Sequence, residues 1–264
     1  MVNAWLLLSG IGMMLVGTLF PIYWWRTQKV PVKYFGYGAA LWVLAIAPKI
    51  ILDLTIAPSM NSYLAAYGTE VLVIVSGIYI GLRTGLFESG FTYFVALKTK
   101  LKKVTYKQAF AFGLGFGGFE AFSLGALSFI NIYAFVAIPD LVNQIPAETQ
   151  SIILQQLNQS TWVVPAAIME RIFIIFVHVF CSLLVFYSIR KAQKKYLYAS
   201  IGYKTLVDAI IPALQVYIGT TTILSIYLLE LPFVALGLFS ILGIHWVHQQ
   251  WSDTPHEKSN SNNQ

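Results

Sequence analysis

Long, continuously apolar runs constrain this chain of 264 residues more than any other feature. A helix that crosses a bilayer needs about 20 predominantly apolar residues, and 57% of this chain is hydrophobic whereas 11% is charged. Seven runs are candidate spans: residues 4–25, 34–57, 67–82, 110–138, 162–189, 198–216 and 222–247. Transmembrane β-strands would instead alternate apolar and polar side chains over about ten residues. The sequence therefore predicts an all-α, polytopic membrane helix bundle with about seven transmembrane helices.

Basic residues outside the apolar runs occur in every second connection. They follow the first run (Arg26, Lys29, Lys33), lie between the third and fourth (Arg83, Lys98, Lys100, Lys102, Lys103, Lys107), follow the fifth (Arg190, Lys191, Lys194, Lys195) and occur in the tail (Lys258). Lys and Arg near the ends of spans are retained on the cytoplasmic side. We therefore expect the N-terminus outside and the C-terminus in the cytoplasm, as in a multi-pass protein of a bacterial plasma membrane.

The same distribution explains the net charge of +6, so we expect no nucleic-acid partner. No change in composition divides the membrane part. Residues 1–250 are therefore predicted to form one transmembrane domain, and the Ser- and Asn-rich residues 251–264 a disordered cytoplasmic tail. Cys181 is the single cysteine, which excludes an internal disulfide and a multi-cysteine metal site.

Two connecting segments have helical character. Residues 139–160 place four aliphatic side chains among glutamines (Ile152, Ile153, Leu154, Leu157), as in an amphipathic helix on the membrane surface or a helix in a solvated loop. Residues 87–103 combine aromatic residues with a run of lysines, which is typical of an interfacial helix on the cytoplasmic leaflet.

Ionisable residues inside the apolar runs are the strongest indication of function. Among them are Glu120, Glu170, Arg171, His178, Lys204 and Asp208. Such groups are expensive in a bilayer, face bundle interiors and mark functional sites. Glu120, His178 and Asp208 all reach the middle of their spans, where a carboxylate could act as general base on water with a histidine assisting. A buried hydrogen-bonded network that only fixes helix packing is the alternative.

The spacing of these residues predicts particular contacts. Lys204 and Asp208, like Lys49 and Asp53, are four residues apart and are expected to form local ion pairs on one helix. Arg171 shares a helix face with His178 and is expected to hold an inward carboxylate.

The glycines between Gly113 and Gly118 resemble a dinucleotide-binding pattern, but they lie within a helix-length apolar run. Their spacing predicts close packing of a neighbouring helix instead.

Three stretches of sequence are similar to one family. They are residues 112–121 (FGLGFGGFEA), Glu170 and Arg171 with His178, and residues 203–208 (YKTLVD). Together they resemble the YhfC family of intramembrane peptidases, which is related in pattern to the CPBP and PrsW membrane proteases. The resemblance extends from about Gly85 to Pro212. It implies hydrolysis of peptide bonds within the membrane, with a transmembrane peptide or protein as substrate and membrane lipids as surroundings.

The resemblance also implies a set of site residues. The catalytic candidates are Glu88, Glu120, Glu170, Arg171, His178 and Asp208. A divalent metal such as zinc is the implied cofactor, with His178, Glu120 and Asp208 as its ligands in this chain.

Several positions depart from the family pattern. The acidic pair and following basic residue are reduced to Glu88, and Phe116 and Lys204 stand where relatives carry histidine. Neither phenylalanine nor a protonated lysine offers a lone pair, and His178 is the one clear histidine left within the spans, which excludes a three-histidine zinc site. Three interpretations follow: a weakened or inactive peptidase, a transporter of a small molecule or ion, and a non-catalytic immunity or chaperone-like membrane protein.

Overall fold

The computed structural model describes residues 2–252, which form helices and no strand. The α-helices are α1 (Leu7–Gln28), α2 (Lys33–Thr55), α3 (Ala57–Ala65), α4 (Thr69–Thr84), α5 (Phe91–Lys98), α6 (Tyr106–Ala137), α7 (Ala147–Leu157), α8 (Val164–Lys191), α9 (Lys195–Ala209), α10 (Ile211–Ile218) and α11 (Ile223–Ser252). A π-helical turn, Gly85–Gly90, joins α4 to α5. Residues 253–264, most of the predicted tail, lie outside the described residues.

Six helical stretches are long and apolar enough to cross a membrane: Ala4–Gln28, Lys33–Thr55, Thr69–Lys98, Tyr106–Ala137, Thr161–Lys191 and Ile223–Trp251. Within the described part of the chain, the polytopic helix bundle expected from the sequence is thereby confirmed.

The predicted sixth span is divided into α9 and α10. Pro212 stands at the start of α10, where proline is tolerated, whereas in a continuous helix it would remove a hydrogen bond and clash with the preceding turn. The two helices nevertheless carry the chain back across the bundle. Gln159, before α8, donates to the Thr220 carbonyl at 3.2 Å, and Tyr227 in the first turns of α11 donates to the Trp162 carbonyl at 2.9 Å. The start of α8, the end of α10 and the start of α11 therefore lie together at one end of the bundle, and the count of seven crossings stays a prediction.

The predicted third span was too short, and the separate interfacial helix at residues 87–103 was wrong. Thr69–Lys98 is one continuous helical stretch through the π-helical turn. Glu88 and Ser89 are buried inside it. Glu88 and Ser89, which the prediction placed in or next to an interfacial helix, are therefore interior residues of a spanning helix.

The loops that contain the basic residues gather at one end of the bundle, which we call the basic end. Trp24 donates to the Lys107 carbonyl at 3.2 Å, and Trp251 packs against Tyr106 and beneath the Arg190 guanidinium. At the opposite end, the Asn3 side chain donates to the Gln159 carbonyl at 2.8 Å. The basic end is the one expected to face the cytoplasm, and this orientation stays a prediction.

Glycines set the close packing of α6, as their spacing predicted. A Cβ on Gly113 would lie 2.7 Å from the Cα of Val179 in α8. On Gly118 it would lie 2.6 Å from the Gly17 carbonyl oxygen in α1, and on Gly115 it would lie 2.1 Å from the Phe35 carbonyl oxygen in α2. Because no side chain keeps the backbones apart, α6 packs against three helices at once.

The amphipathic helix expected between the fourth and fifth runs is α7. Leu157 at its end is buried, whereas Ile152 is exposed. The Leu157 carbonyl accepts a hydrogen bond from the Asn3 backbone at 2.8 Å, so this helix is held against the end of the bundle opposite the basic end.

Candidate functional site

Buried charged side chains from five helical stretches meet in the middle of the bundle. We call the following residues the ion cluster: Lys49, Glu88, Glu120, Glu170, Arg171, His178 and Lys204. They come from α2, the π-helical turn, α6, α8 and α9. Sequence analysis placed most of them in different spans, and the fold brings them into one contiguous set of contacts.

The π-helical turn determines where Glu88 points. Its wider turn contains an extra residue compared with an α-helix, and such turns are frequent at functional sites. Three glycines on the same stretch, Gly77, Gly81 and Gly85, face α9: a Cβ on each would lie within 2.5 Å of a backbone oxygen of Ala209, Thr205 or Ile201, respectively. This close approach of α9 brings Lys204 within reach of Glu88.

Glu88 lies between two ammonium groups. It is 2% exposed, and its Oε1 accepts a hydrogen bond from Lys49 Nζ at 2.6 Å. Its Oε2 accepts one from Lys204 Nζ. Both lysines are themselves buried, so the carboxylate is the counter-charge that stabilises each of them in the interior.

The two ion pairs expected from spacing along one helix were therefore wrong. Lys49 and Lys204 both contact Glu88, a longer-range partner. Asp53 instead pairs with Arg83 of α4. The two lysines contact Glu88 because the bundle interior offers them a desolvated carboxylate. An ion pair between residues four apart on one helix surface contributes only about 0.2–0.5 kcal/mol.

His178 connects Lys204 to Glu120 within the ion cluster. Its Nδ1 lies 2.7 Å from Lys204 Nζ, and its Nε2 lies 3.3 Å from Glu120 Oε2. An ammonium group can only donate, so Nδ1 must accept and the ring proton is on Nε2, facing Glu120. Both ring nitrogens are thereby engaged.

Glu120 is held by three donors of different kinds. Trp42 Nε1 donates to its Oε2 at 2.7 Å, and Arg171 donates to its Oε1 at 3.2 Å. Arg171 also pairs with Glu170, so its guanidinium bridges two carboxylates. Arg171 holds an inward carboxylate as expected, and the partner is Glu120 on α6.

The formal charges of the ion cluster balance. Three carboxylates (Glu88, Glu120, Glu170) face three cations (Lys49, Arg171, Lys204) through direct contacts. A buried charge is tolerated when it is paired and hydrogen-bonded, and every member of this set has such a partner. The arrangement is neutral before any charge on His178 is counted.

A cavity of about 190 Å³ adjoins the ion cluster. Charged cluster residues line one part of it, and Ile46, Leu124, Ile174 and Phe233 contribute apolar walls. Asp208 lines the cavity as well. The structure thus brings all the catalytic candidates named from sequence to one cavity: Glu88, Glu120, Glu170, Arg171, His178 and Asp208.

The residues present do not fit the metal that the resemblance implies. The three ligand candidates named from sequence were His178, Glu120 and Asp208, and no group of three or more such side chains in the described part of the chain is arranged to hold a metal ion. His178 uses its one lone pair on Lys204, and Phe116 packs against the imidazole with ring centroids 5.2 Å apart. The Lys204 ammonium lies 4.7 Å above the Phe116 ring.

Lys204 therefore takes the place of a bound cation. A divalent ion at this point would add two positive charges to a neutral set and would meet the ammonium. Metal ligands must offer a free lone pair, whereas Nδ1 of His178 faces Lys204 and each carboxylate oxygen of Glu88 accepts a hydrogen bond from a lysine.

Sequence reasoning missed two residues of the site. Lys49 was assigned to a local pair, although its position in the middle of an apolar run marked it as an interior charge. Trp42 carries no such signal, because a tryptophan in a spanning helix is ordinarily read as a lipid contact or an interfacial anchor. Only the fold shows that its indole N–H reaches Glu120.

Comparison with known proteins assigns the chain at the level of a family. Residues 12–231 match the family described as YhfC intramembrane metalloprotease. Neither curated proteins nor solved structures gave a match. The matched range contains every member of the ion cluster.

Proposed function

This chain belongs to the YhfC family of intramembrane metalloproteases, and we propose that it is a non-hydrolytic member that binds a membrane-embedded peptide segment. The observation that carries the proposal is the position of Lys204. Its ammonium contacts Glu88, His178 and the face of Phe116. In a hydrolytic site of this class, the corresponding space would hold the ion that activates water.

A lysine cannot replace that ion in catalysis. A bound zinc ion lowers the pKa of water to about 7 and polarises a carbonyl. An ammonium paired to Glu88 provides one positive charge that is already neutralised. Glu120, the remaining base candidate, is held by Trp42, Arg171 and His178, so most of its acceptor sites already face protein donors.

The cavity supports a binding role. It combines apolar walls with charged groups in the middle of the bundle, as ligand sites between helices commonly do. An extended peptide segment offers backbone N–H and C=O groups that need polar partners inside a membrane. Glu170 and Asp208, which also line the cavity, are the nearest acceptors for such N–H groups.

Metal content tests the first half of the proposal. The purified wild-type protein in mild detergent should contain much less than one equivalent of zinc, and a chelator should leave its melting temperature unchanged. The double variant F116H/K204H should gain about one equivalent, because it would add two imidazoles beside His178 and Glu88. The single variants F116H and K204H are the matched controls and should gain less.

Stoichiometric zinc in the wild type, removed by chelator with loss of stability, would contradict the proposal. So would an F116H/K204H variant that remains folded and takes up no zinc, because the three positions would then not form one cation site.

Proteolysis in membranes tests the non-hydrolytic assignment directly. Membranes from cells that make the wild type or E120Q should show the same set of new protein N-termini by mass spectrometry. Termini that occur with the wild type and disappear with E120Q at equal protein abundance would establish hydrolysis. The non-hydrolytic assignment would then have to be abandoned.

A further inference from the structure

A second cavity lies at the basic end, away from the ion cluster. Its volume is about 470 Å³, within the range of about 300–1,000 Å³ found for small-molecule sites. It lies between the first turns of α2 and the end of α5, with the buried ring of Phe112 from α6 lining it as well. None of the ion cluster residues lines this cavity.

Positive charge is concentrated at this cavity. Lys33 and Lys100 line it from two different helical segments. Both are exposed, and Lys33 lies 5.5 Å from the centroid of the Tyr34 ring, which also lines the cavity. Among the described residues that line it, none is acidic. The lysines therefore face the cavity without a carboxylate to neutralise them there.

The rest of the cavity is apolar and extends along α2. Ala40 and Leu41 line it, as does Leu44 about one helical turn later, and Val95 and Leu101 line it from the other side. Leu44 is 49% exposed although it points into a concave surface. A ligand that is complementary to this surface has an anionic head group next to the lysines and a hydrocarbon chain along α2.

We propose that this cavity binds an anionic phospholipid, with its phosphate between Lys33 and Lys100 and one acyl chain along Ala40 and Leu44. Basic pockets between transmembrane helices are a recognised way to bind anionic head groups. The apolar groove distinguishes a lipid from a free phosphate, because only a lipid has an acyl chain that can cover the exposed Leu44 side chain. The lysines also lie at the membrane surface that the sequence predicts to be cytoplasmic.

Lipid titration followed by native mass spectrometry tests the site. The probes are phosphatidylglycerol and phosphatidylcholine, added to the full-length protein in mild detergent. Phosphatidylglycerol should bind more tightly to the wild type. K33Q/K100Q should weaken its binding about 30-fold, the fold-change for about 1 kcal/mol per lysine near an anionic lipid.

Two further variants separate charge from shape. K194Q/K195Q removes two lysines at the same end of the bundle but outside the cavity, and it should bind phosphatidylglycerol like the wild type. Ala40→Trp keeps both lysines and fills the groove, so it should weaken binding of the lipid. Lys33, Lys100 and Ala40 are all exposed, so these variants are expected to fold, which their melting temperatures will verify.

Three results would overturn the proposal. Equal affinity of K33Q/K100Q and wild type would show that the lysines do not bind the head group. Equal weakening by K194Q/K195Q would indicate a diffuse electrostatic effect. Displacement of the lipid by millimolar glycerol phosphate, together with an unaffected Ala40→Trp variant, would assign the site to a free phosphate. The proposal is independent of the ion cluster, so zinc content and proteolysis would be unchanged in these variants.

Discussion

Removing the charge of Glu88 should destabilise the bundle more than any other single change in the ion cluster. Glu88 is the one direct carboxylate partner that Lys49 and Lys204 share, and it is 2% exposed. Glu88→Gln leaves two buried ammonium groups facing an amide. Lys204→Met leaves Glu88 paired with Lys49, so its effect should be smaller.

The expected magnitudes follow from this geometry. Breaking a buried ion pair by removing one partner costs about 3–5 kcal/mol. For a chain of about this size, 1 kcal/mol corresponds to about 2–4 °C in melting temperature, so Glu88→Gln should lower it by about 6–20 °C. The double variant E88Q/K204M leaves one unpaired cation instead of two. It should therefore melt above E88Q, with a coupling free energy in the range of about 0.5–3 kcal/mol.

Thermal unfolding of the purified proteins in one detergent measures all four members of this cycle. Glu70→Gln, the same substitution at an exposed position in the first turn of α4, is the control and should change stability by about 1 kcal/mol or less. A melting temperature for E88Q within about 2 °C of wild type would refute the reasoning. So would a double variant that is less stable than E88Q, because Lys204 would then not depend on Glu88.

Three further predictions concern other parts of the molecule. Glu120→Gln should lower stability less than Glu88→Gln, by about 1–3 kcal/mol, because Arg171 keeps Glu170; an equal loss in thermal unfolding would contradict this. Gly113→Ala should lower the free energy of unfolding by about 1–3 kcal/mol, because the added methyl group would contact α8. The control Gly202→Ala, where the methyl group would face open space, should leave that free energy unchanged or raise it by up to about 1 kcal/mol. Similar melting temperatures of the two variants would count against the packing argument. In a Cys181→Ser background, cysteines at Asn143 and Lys194 should label from opposite faces of intact cells, and labelling of both from outside would rule out the proposed orientation.

The helical class could be predicted because it depends on local composition. Apolar runs of about 20 residues leave few alternatives in a bilayer, where backbone groups must bond internally. The glycines of α6 were interpreted correctly for the same kind of reason, since a helix that lacks side chains on one face permits close approach. Boundaries were less predictable: Glu88 was assigned to an interfacial helix, and the structure places it inside a spanning helix.

The partners of the buried charges could not be predicted from spacing. Lys49 and Lys204 have carboxylates four residues away, yet both contact Glu88 on another helix. Spacing along a helix measures distance on one surface and says nothing about which facing helix presents a counter-charge. That depends on the glycines of α4 that bring α9 close, and on the π-helical turn that directs Glu88 inward.

The sequence by itself determined that the chain is a membrane helix bundle and that several charged residues, among them Glu120, Arg171 and Lys204, lie inside its apolar runs. These are properties of composition and of single positions, and each can be interpreted without knowing which residues lie beside it in the fold. Only the tertiary structure decided that Phe116, His178, Lys204 and Glu88 share one location and that the charges balance there without an added ion. A Coulomb interaction or a ligand set exists between atoms a few ångströms apart, and such distances between residues of different helices are set by packing rather than by order along the chain.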